Sequence, residues 1–189
     1  MKLYVDDISS YSHFDFQKMF SFIPASKKKR LSLYLQEKDV FLSLLGEYLL
    51  KIGLEELGIL YNNCKFGVNE NGKPFIKNNP IFYSISHFGT KAVCAISTSP
   101  IGVDIVDLSK RISLTSFSSQ SEKKDFQKYS NLLLALKEAY IKMEGWNFSN
   151  VNDVIFYLND SMIVCSDSSV QLNIFTLEKK YLLVICERM

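Results

Sequence analysis

The chain has 189 residues, a net charge of +2, and is 47% hydrophobic and 13% aromatic. That length and composition suit one large domain or two packed halves with a substantial core, and they exclude a disordered chain. The charge is too small to imply nucleic-acid binding, so any recognition of an anion must come from local clusters.

Lys2 to Ile8 alternates apolar and polar residues and predicts a first strand. Charges at Lys2, Asp6 and Asp7 occupy the place where a signal peptide needs its apolar core, and no apolar run reaches membrane-spanning length. A cytoplasmic protein without a membrane segment is expected. His13 to Phe22 predicts a short amphipathic helix carrying Phe14, Phe16, Met19 and Phe20. Pro24 then marks a break, with Ser26 as the expected cap of the next helix. The basic run Lys27 to Arg30 opens a long helical pattern carried by Leu31, Tyr34, Leu35, Phe41, Leu44, Leu45, Tyr48 and Leu49. Four cations in a first turn oppose the helix dipole. Any one of these lysines fits a solvated face; the cluster fits an anionic partner. Gly58 and Asn62-Asn63 end the helical region. Lys65 to Val68 reads as a strand, Asn69 to Gly72 as its turn, and Gly72-Lys-Pro74 as a tight turn holding a lysine at a loop edge. Phe82 to His87 and Lys91 to Ser97 alternate across Phe88-Gly-Thr90, which predicts a hairpin.

Ser99-Pro100 divides the chain into halves, 1–98 and 99–189. Next comes Ile101-Gly-Val-Asp-Ile-Val-Asp107, a buried strand around a single acid, Asp104. A buried carboxylate is costly unless it is neutralised or bound to a cation. Residues 109–120 read as a loop with a short helix around 114–117, Ser121 begins another helix, and Ser130 is the expected cap of the one after. In that last helix Leu132, Leu136, Ala139, Tyr140 and Met143 form the inward stripe, with Glu138 and Lys142 one turn apart beside it and Gly145 as the stop. Strands follow at Val154 to Leu158, Met162 to Cys165, Val170 to Leu177 and Tyr181 to Cys186. Helix followed by strands in each half gives an α+β fold with antiparallel sheets packed with helices. Cys64, Cys94, Cys165 and Cys186 form no close pair and read as buried reduced thiols. A strand acid with a helical glutamate and lysine can hold a divalent cation together with an anion, the chemistry of a phosphate-containing substrate.

Gly72-Lys-Pro74, Ser84-Ile-Ser-His87, Gly102-Val-Asp104 and Lys137-Glu-Ala-Tyr-Ile-Lys142 stand in an order and at spacings that resemble the 4′-phosphopantetheinyl transferase superfamily, surfactin-synthetase type. Phe22 to Arg30, followed by Leu44-Leu-Gly46, resembles the family's N-terminal segment. The resemblance implies two similar α/β halves in a pseudo-twofold arrangement, with the site between them. It implies transfer of the 4′-phosphopantetheine arm of coenzyme A to a serine of an apo acyl, peptidyl or aryl carrier protein, with release of adenosine 3′,5′-bisphosphate. On that basis Asp104 and Glu138 are expected to hold Mg²⁺ (or Mn²⁺), Glu138 to act as general base, and Lys142 to stabilise charge on the phosphates. Lys27, Arg30, Lys73, Ser86 and His87 are expected to bind coenzyme A. A monomer is expected.

The chain differs from the family at several positions. Val106 replaces the second acid of the metal strand, with Asp107 one residue on and expected on the opposite face. Leu134 replaces a tryptophan, and positions 42 and 84 are Leu and Ser in place of the family's Arg and Asn. These changes leave two carboxylate ligands and fewer coenzyme A contacts. The alternative reading is a non-catalytic relative that binds coenzyme A or a carrier protein.

Overall fold

The computed structural model describes residues 1–109, 112–114, 116–160 and 162–189. The first strand, β1 (Lys2–Asp7), forms along the predicted alternation, and Ser12 caps α1 (His13–Phe22) in a reciprocal capping box with Asp15. The single long helix expected from Lys27 onward is two helices, α2 (Ala25–Leu31) and α3 (Glu37–Glu55). The apolar period misleads here because Leu35, counted into the stripe, is fully exposed in the turn between them. Ser32 ends α2, and its hydroxyl donates to the Lys29 carbonyl at 2.8 Å. Lys28, Lys29 and Arg30 therefore lie in the last turn of a short helix, where cations suit the dipole. Ser26 is inside α2, whose N-cap is Pro24 without a side-chain bond.

The hairpin β2 (Phe66–Val68) and β3 (Pro74–Ile76) precedes β4 (Phe82–Phe88) and β5 (Lys91–Ser97), and the first three-stranded sheet runs β1-β5-β4, all antiparallel. Leu45, Leu49, Leu50 and Leu54 bury one face of α3 on that sheet.

The second half repeats the order of strands. β6 (Ile101–Asp107) is followed by α4 (Gln120–Asp125) and α5 (Ser130–Glu144), where the first half has α1, α2 and α3. A small hairpin, β7 (Phe156–Asn159) with β8 (Met162–Cys165), and then β9 (Val170–Leu177) and β10 (Tyr181–Arg188) complete it. Its sheet runs β6-β10-β9, again first, last, penultimate. Two halves with one topology, each an antiparallel sheet packed with helices, make the α+β fold. α4 begins at Gln120, one residue before the expected Ser121, behind its cap Ser119, and Tyr129, not Ser130, stands at the N-cap of α5. Ser130 instead accepts the Ile112 amide at 3.3 Å. The short helix expected around 114–117 includes residue 115, which lies outside the described residues.

Between the sheets, Val93 and Ala95 of β5 pack against Val103 and Ile105 of β6 and Leu183 and Ile185 of β10. Gly102 lets α5 lie directly on β6: a Cβ there would come within 1.9 Å of the Ala139 carbonyl oxygen. Every residue of β6 is buried. This close docking places α5 over the acid strand.

Candidate active site

Even-numbered residues of β6 face α5, so the strand's alternation aims Asp104 at the helix. Asp104 Oδ1 accepts from Lys142 Nζ at 2.6 Å and from the Ser86 hydroxyl at 2.8 Å. Lys142 Nζ also donates to Ser86 Oγ at 3.1 Å. Ser86 comes from β4, in the other half, and two residues earlier Ser84 Oγ accepts the Val103 amide at 3.0 Å. The two sheets thus meet along β4 and β6 through serine hydroxyls, and among the described residues no backbone ladder pairs these two strands into one continuous sheet.

Glu138 lies one turn before Lys142 and lines the same cleft, with no hydrogen bond reaching its carboxylate among the described residues. Burial raises its pKa above the ordinary glutamate value; the Lys142 ammonium opposes that shift and the Asp104 carboxylate adds to it. The cleft has a volume of about 980 Å³ and is lined from both halves, by Arg30, Lys73, Ser86 and His87 on one side and Asp104, Glu138 and Lys142 on the other. Burial lowers the pKa of His87, with Lys142 acting in the same direction. Burial also brings Lys73 down to about 8.

Of the sequence-predicted residues, Lys27 alone is kept out of this cleft. Its ammonium turns into the first half, 2.5 Å from Glu47 Oε2 and 3.6 Å from the centre of the Phe66 ring. There it lines a smaller adjoining cavity with Arg30. Lys73 reaches the cleft, but its ammonium is also engaged, donating to the Met143 carbonyl at 2.5 Å.

Asp104 and Glu138 fit a Mg²⁺ site of the kind completed by water and substrate phosphate, which needs only one or two carboxylates. Burial, with a smaller contribution from Asp104, disfavours the charged form of Glu138, and a bound cation would favour it. Among the described residues no group of three or more His, Cys, Asp or Glu side chains is placed to hold a metal ion. Val106 belongs to the apolar core beside Phe117 and Leu133. Asp107 is engaged at the strand end, where it accepts the Ser109 amide at 2.7 Å and hydroxyl at 2.6 Å.

One pair escaped the sequence analysis. Lys137 and Glu122 are both fully buried and lie 2.7 Å apart. Lys137 also donates to the carbonyls of Val151 at 3.0 Å and Val154 at 2.5 Å, while Glu122 accepts the Phe156 amide at 2.9 Å. The pair ties α5 to α4 and β7. Its signals were the Ser119-x-x-Glu122 capping-box spacing and the place of Lys137 four residues after Leu133, on the inward side of α5.

Residues 10–99 match the family described as 4′-phosphopantetheinyl transferase, N-terminal. A 4′-phosphopantetheinyl transferase of Bacillus subtilis is 32% identical over 149 residues, covering 70% of this chain and 64% of the relative. The 4′-phosphopantetheinyl transferase Sfp of Bacillus subtilis strain 168 is 29% identical over 145 residues, 70% of this chain and 65% of that protein. The match to 4′-phosphopantetheinyl transferase ffp of Bacillus subtilis is 31% over 160 residues, 78% of this chain and 70% of the relative. The chain thus spans slightly less than two thirds of the first two relatives. No helix among the described residues is long and apolar enough to cross a membrane. On the strength of these matches and the repeated-half fold, the chain belongs to the 4′-phosphopantetheinyl transferase family, Sfp type.

Proposed function

We propose that this protein transfers the 4′-phosphopantetheine arm of coenzyme A to a serine hydroxyl of an apo carrier protein. The observation that carries the reading is the convergence of Asp104, Glu138 and Lys142 with Ser86 in one cleft lined by both halves. Arg30, Lys73 and His87 line the opposite wall and supply the cations and donors for the nucleotide phosphates. A Mg²⁺ ion held by Asp104 and Glu138 would neutralise charge on the pyrophosphate. Ser86 holds Asp104 in place by donating to its Oδ1.

Glu138 accepts the proton of the incoming serine. No hydrogen bond to its carboxylate among the described residues has to break for it to do so. The serine oxygen forms the new bond to phosphorus, the bond to the adenosine bisphosphate oxygen breaks, and Lys142 stabilises the charge left on that oxygen. Lys27, paired with Glu47, reaches the nucleotide only by leaving that partner.

The test is intact-mass spectrometry of apo acyl and peptidyl carrier proteins incubated with this protein, coenzyme A and Mg²⁺. A gain of one phosphopantetheine arm, lost in Asp104→Ala and Glu138→Ala, is expected. Val106, apolar where many family members carry an acid, favours a second reading, a non-catalytic binder. Coenzyme A binding by calorimetry without transfer to any carrier would establish that reading, and absence of both binding and transfer would overturn the two together.

A further inference from the structure

The last carbonyls of a helix have no partner within it and must find one elsewhere. In α5, which carries Glu138 and Lys142, that partner comes from the other half of the molecule. Asn69 Nδ2 and Asn71 Nδ2, in the β2–β3 loop, both donate to the Gly145 carbonyl, at 2.8 and 3.0 Å. Lys73 Nζ donates to the Met143 carbonyl at 2.5 Å. The loop is braced in turn, since Asn69 Oδ1 accepts the amides of Asn71 at 3.0 Å and Lys73 at 2.8 Å. Gly145, left-handed at φ 73°, leaves no room for more, since a Cβ there would meet Asn69 Nδ2 at 2.7 Å.

We infer that Asn69 and Asn71 are positioning residues for the transfer reaction. By capping the end of α5 they fix its final turn against β6. They thereby fix the ammonium of Lys142, which that turn carries and which must stay on Asp104 and Ser86. Lys73, whose ammonium has donors to spare beyond Met143, links the same clamp to the cleft wall where the nucleotide phosphates would lie. The kinetic consequence rests on the transferase reading; the effect on Lys142 does not.

Asn69→Asp keeps the acceptor for the loop amides and removes the donor to Gly145. Asn71→Ala removes one donor and leaves the Asn69 turn intact, which guards against a misfolded hairpin. Two readouts are taken on each variant: kcat and KM for coenzyme A, and the rate at which Lys142 is acylated by an amine-reactive reagent, followed by peptide mass spectrometry. Lys91, paired with Asp7 and Glu178 away from the clamp, is the internal reference. The expected result is faster labelling of Lys142 with Lys91 unchanged, and a kcat lower by about tenfold in Asn69→Asp and less in Asn71→Ala, at nearly constant KM. Unchanged labelling of Lys142 in both variants overturns the inference, as does an unchanged kcat in an active enzyme. If the wild-type protein modifies no carrier, the transferase reading falls, and Lys142 labelling alone decides the clamp.

Discussion

The two halves share one order of strands but place their charges differently. In the first half, β1 is an edge strand paired only with β5, and the acid in the middle of α3, Glu47, is bound by Lys27 at 2.5 Å and the Tyr61 hydroxyl at 3.0 Å. In the second half, β6 is buried along its whole length and lies against β4 as well as pairing with β10. Its helix leaves Glu138 without a hydrogen bond at the cleft among the described residues. A repeated frame therefore does not repeat chemistry. The half whose first strand is covered by the other half holds the acid strand of the cleft, and the carboxylate its helix leaves there has no hydrogen-bond partner among the described residues.

Glu138→Gln should produce the largest break in this contrast. Transfer should fall by about 10²–10⁴-fold in kcat, while thermal unfolding at pH 7–8 stays at or above the wild-type temperature. The sign follows from the raised pKa: the native state favours protonated Glu138, so its stabilising contribution is present at low pH and is lost as pH rises through the folded value. A neutral glutamine carries no such loss.

Lys137→Met should come next, as a loss of stability. It leaves Glu122 charged and fully buried, at a cost of about 3–5 kcal/mol, or roughly 10 °C in Tm by calorimetry. Adding Glu122→Gln should restore most of it, since the glutamine still accepts the Phe156 amide.

Glu47→Gln tests the silent half. The Lys27–Glu47 pair keeps some water contact, with side chains 13% and 14% exposed, so chemical denaturation should show a smaller loss, about 2 kcal/mol. An unchanged stability would mean that the aromatic rings around Lys27 hold it without the acid.

The smallest effect concerns Lys73. With its pKa lowered to about 8, its charge is lost as pH rises past that value, so kcat/KM for coenzyme A should decline on the alkaline side near pH 8. Lys73→Met should lower kcat/KM throughout and remove that limb.

Local periodicity made the site's own elements legible. The inward stripe of α5, its stop at Gly145 and the β4–β5 hairpin all depend on neighbours in sequence. Directions set by distant elements were not legible. Lys27 reads as a solvent-seeking cation, and only the fold surrounds its ammonium with Phe66 of β2, Tyr83 of β4 and Tyr61 between α3 and β2. Lys137 hides for the same reason, because its acid lies on a separate helix. The repeat of the two halves is likewise absent from residue identities: it lives in the order of elements, which very different side chains satisfy.

The meeting of β4 and β6 through Ser84 and Ser86 has a dynamic consequence. Separating these strands at the cleft edge breaks side-chain bonds to serine and no backbone ladder, while Val93 and Ala95 packed on Val103 and Ile105 keep the halves together behind them. The Val103 amide, held by Ser84 alone on that side, should therefore exchange its hydrogen with solvent faster than the ladder amides of β10.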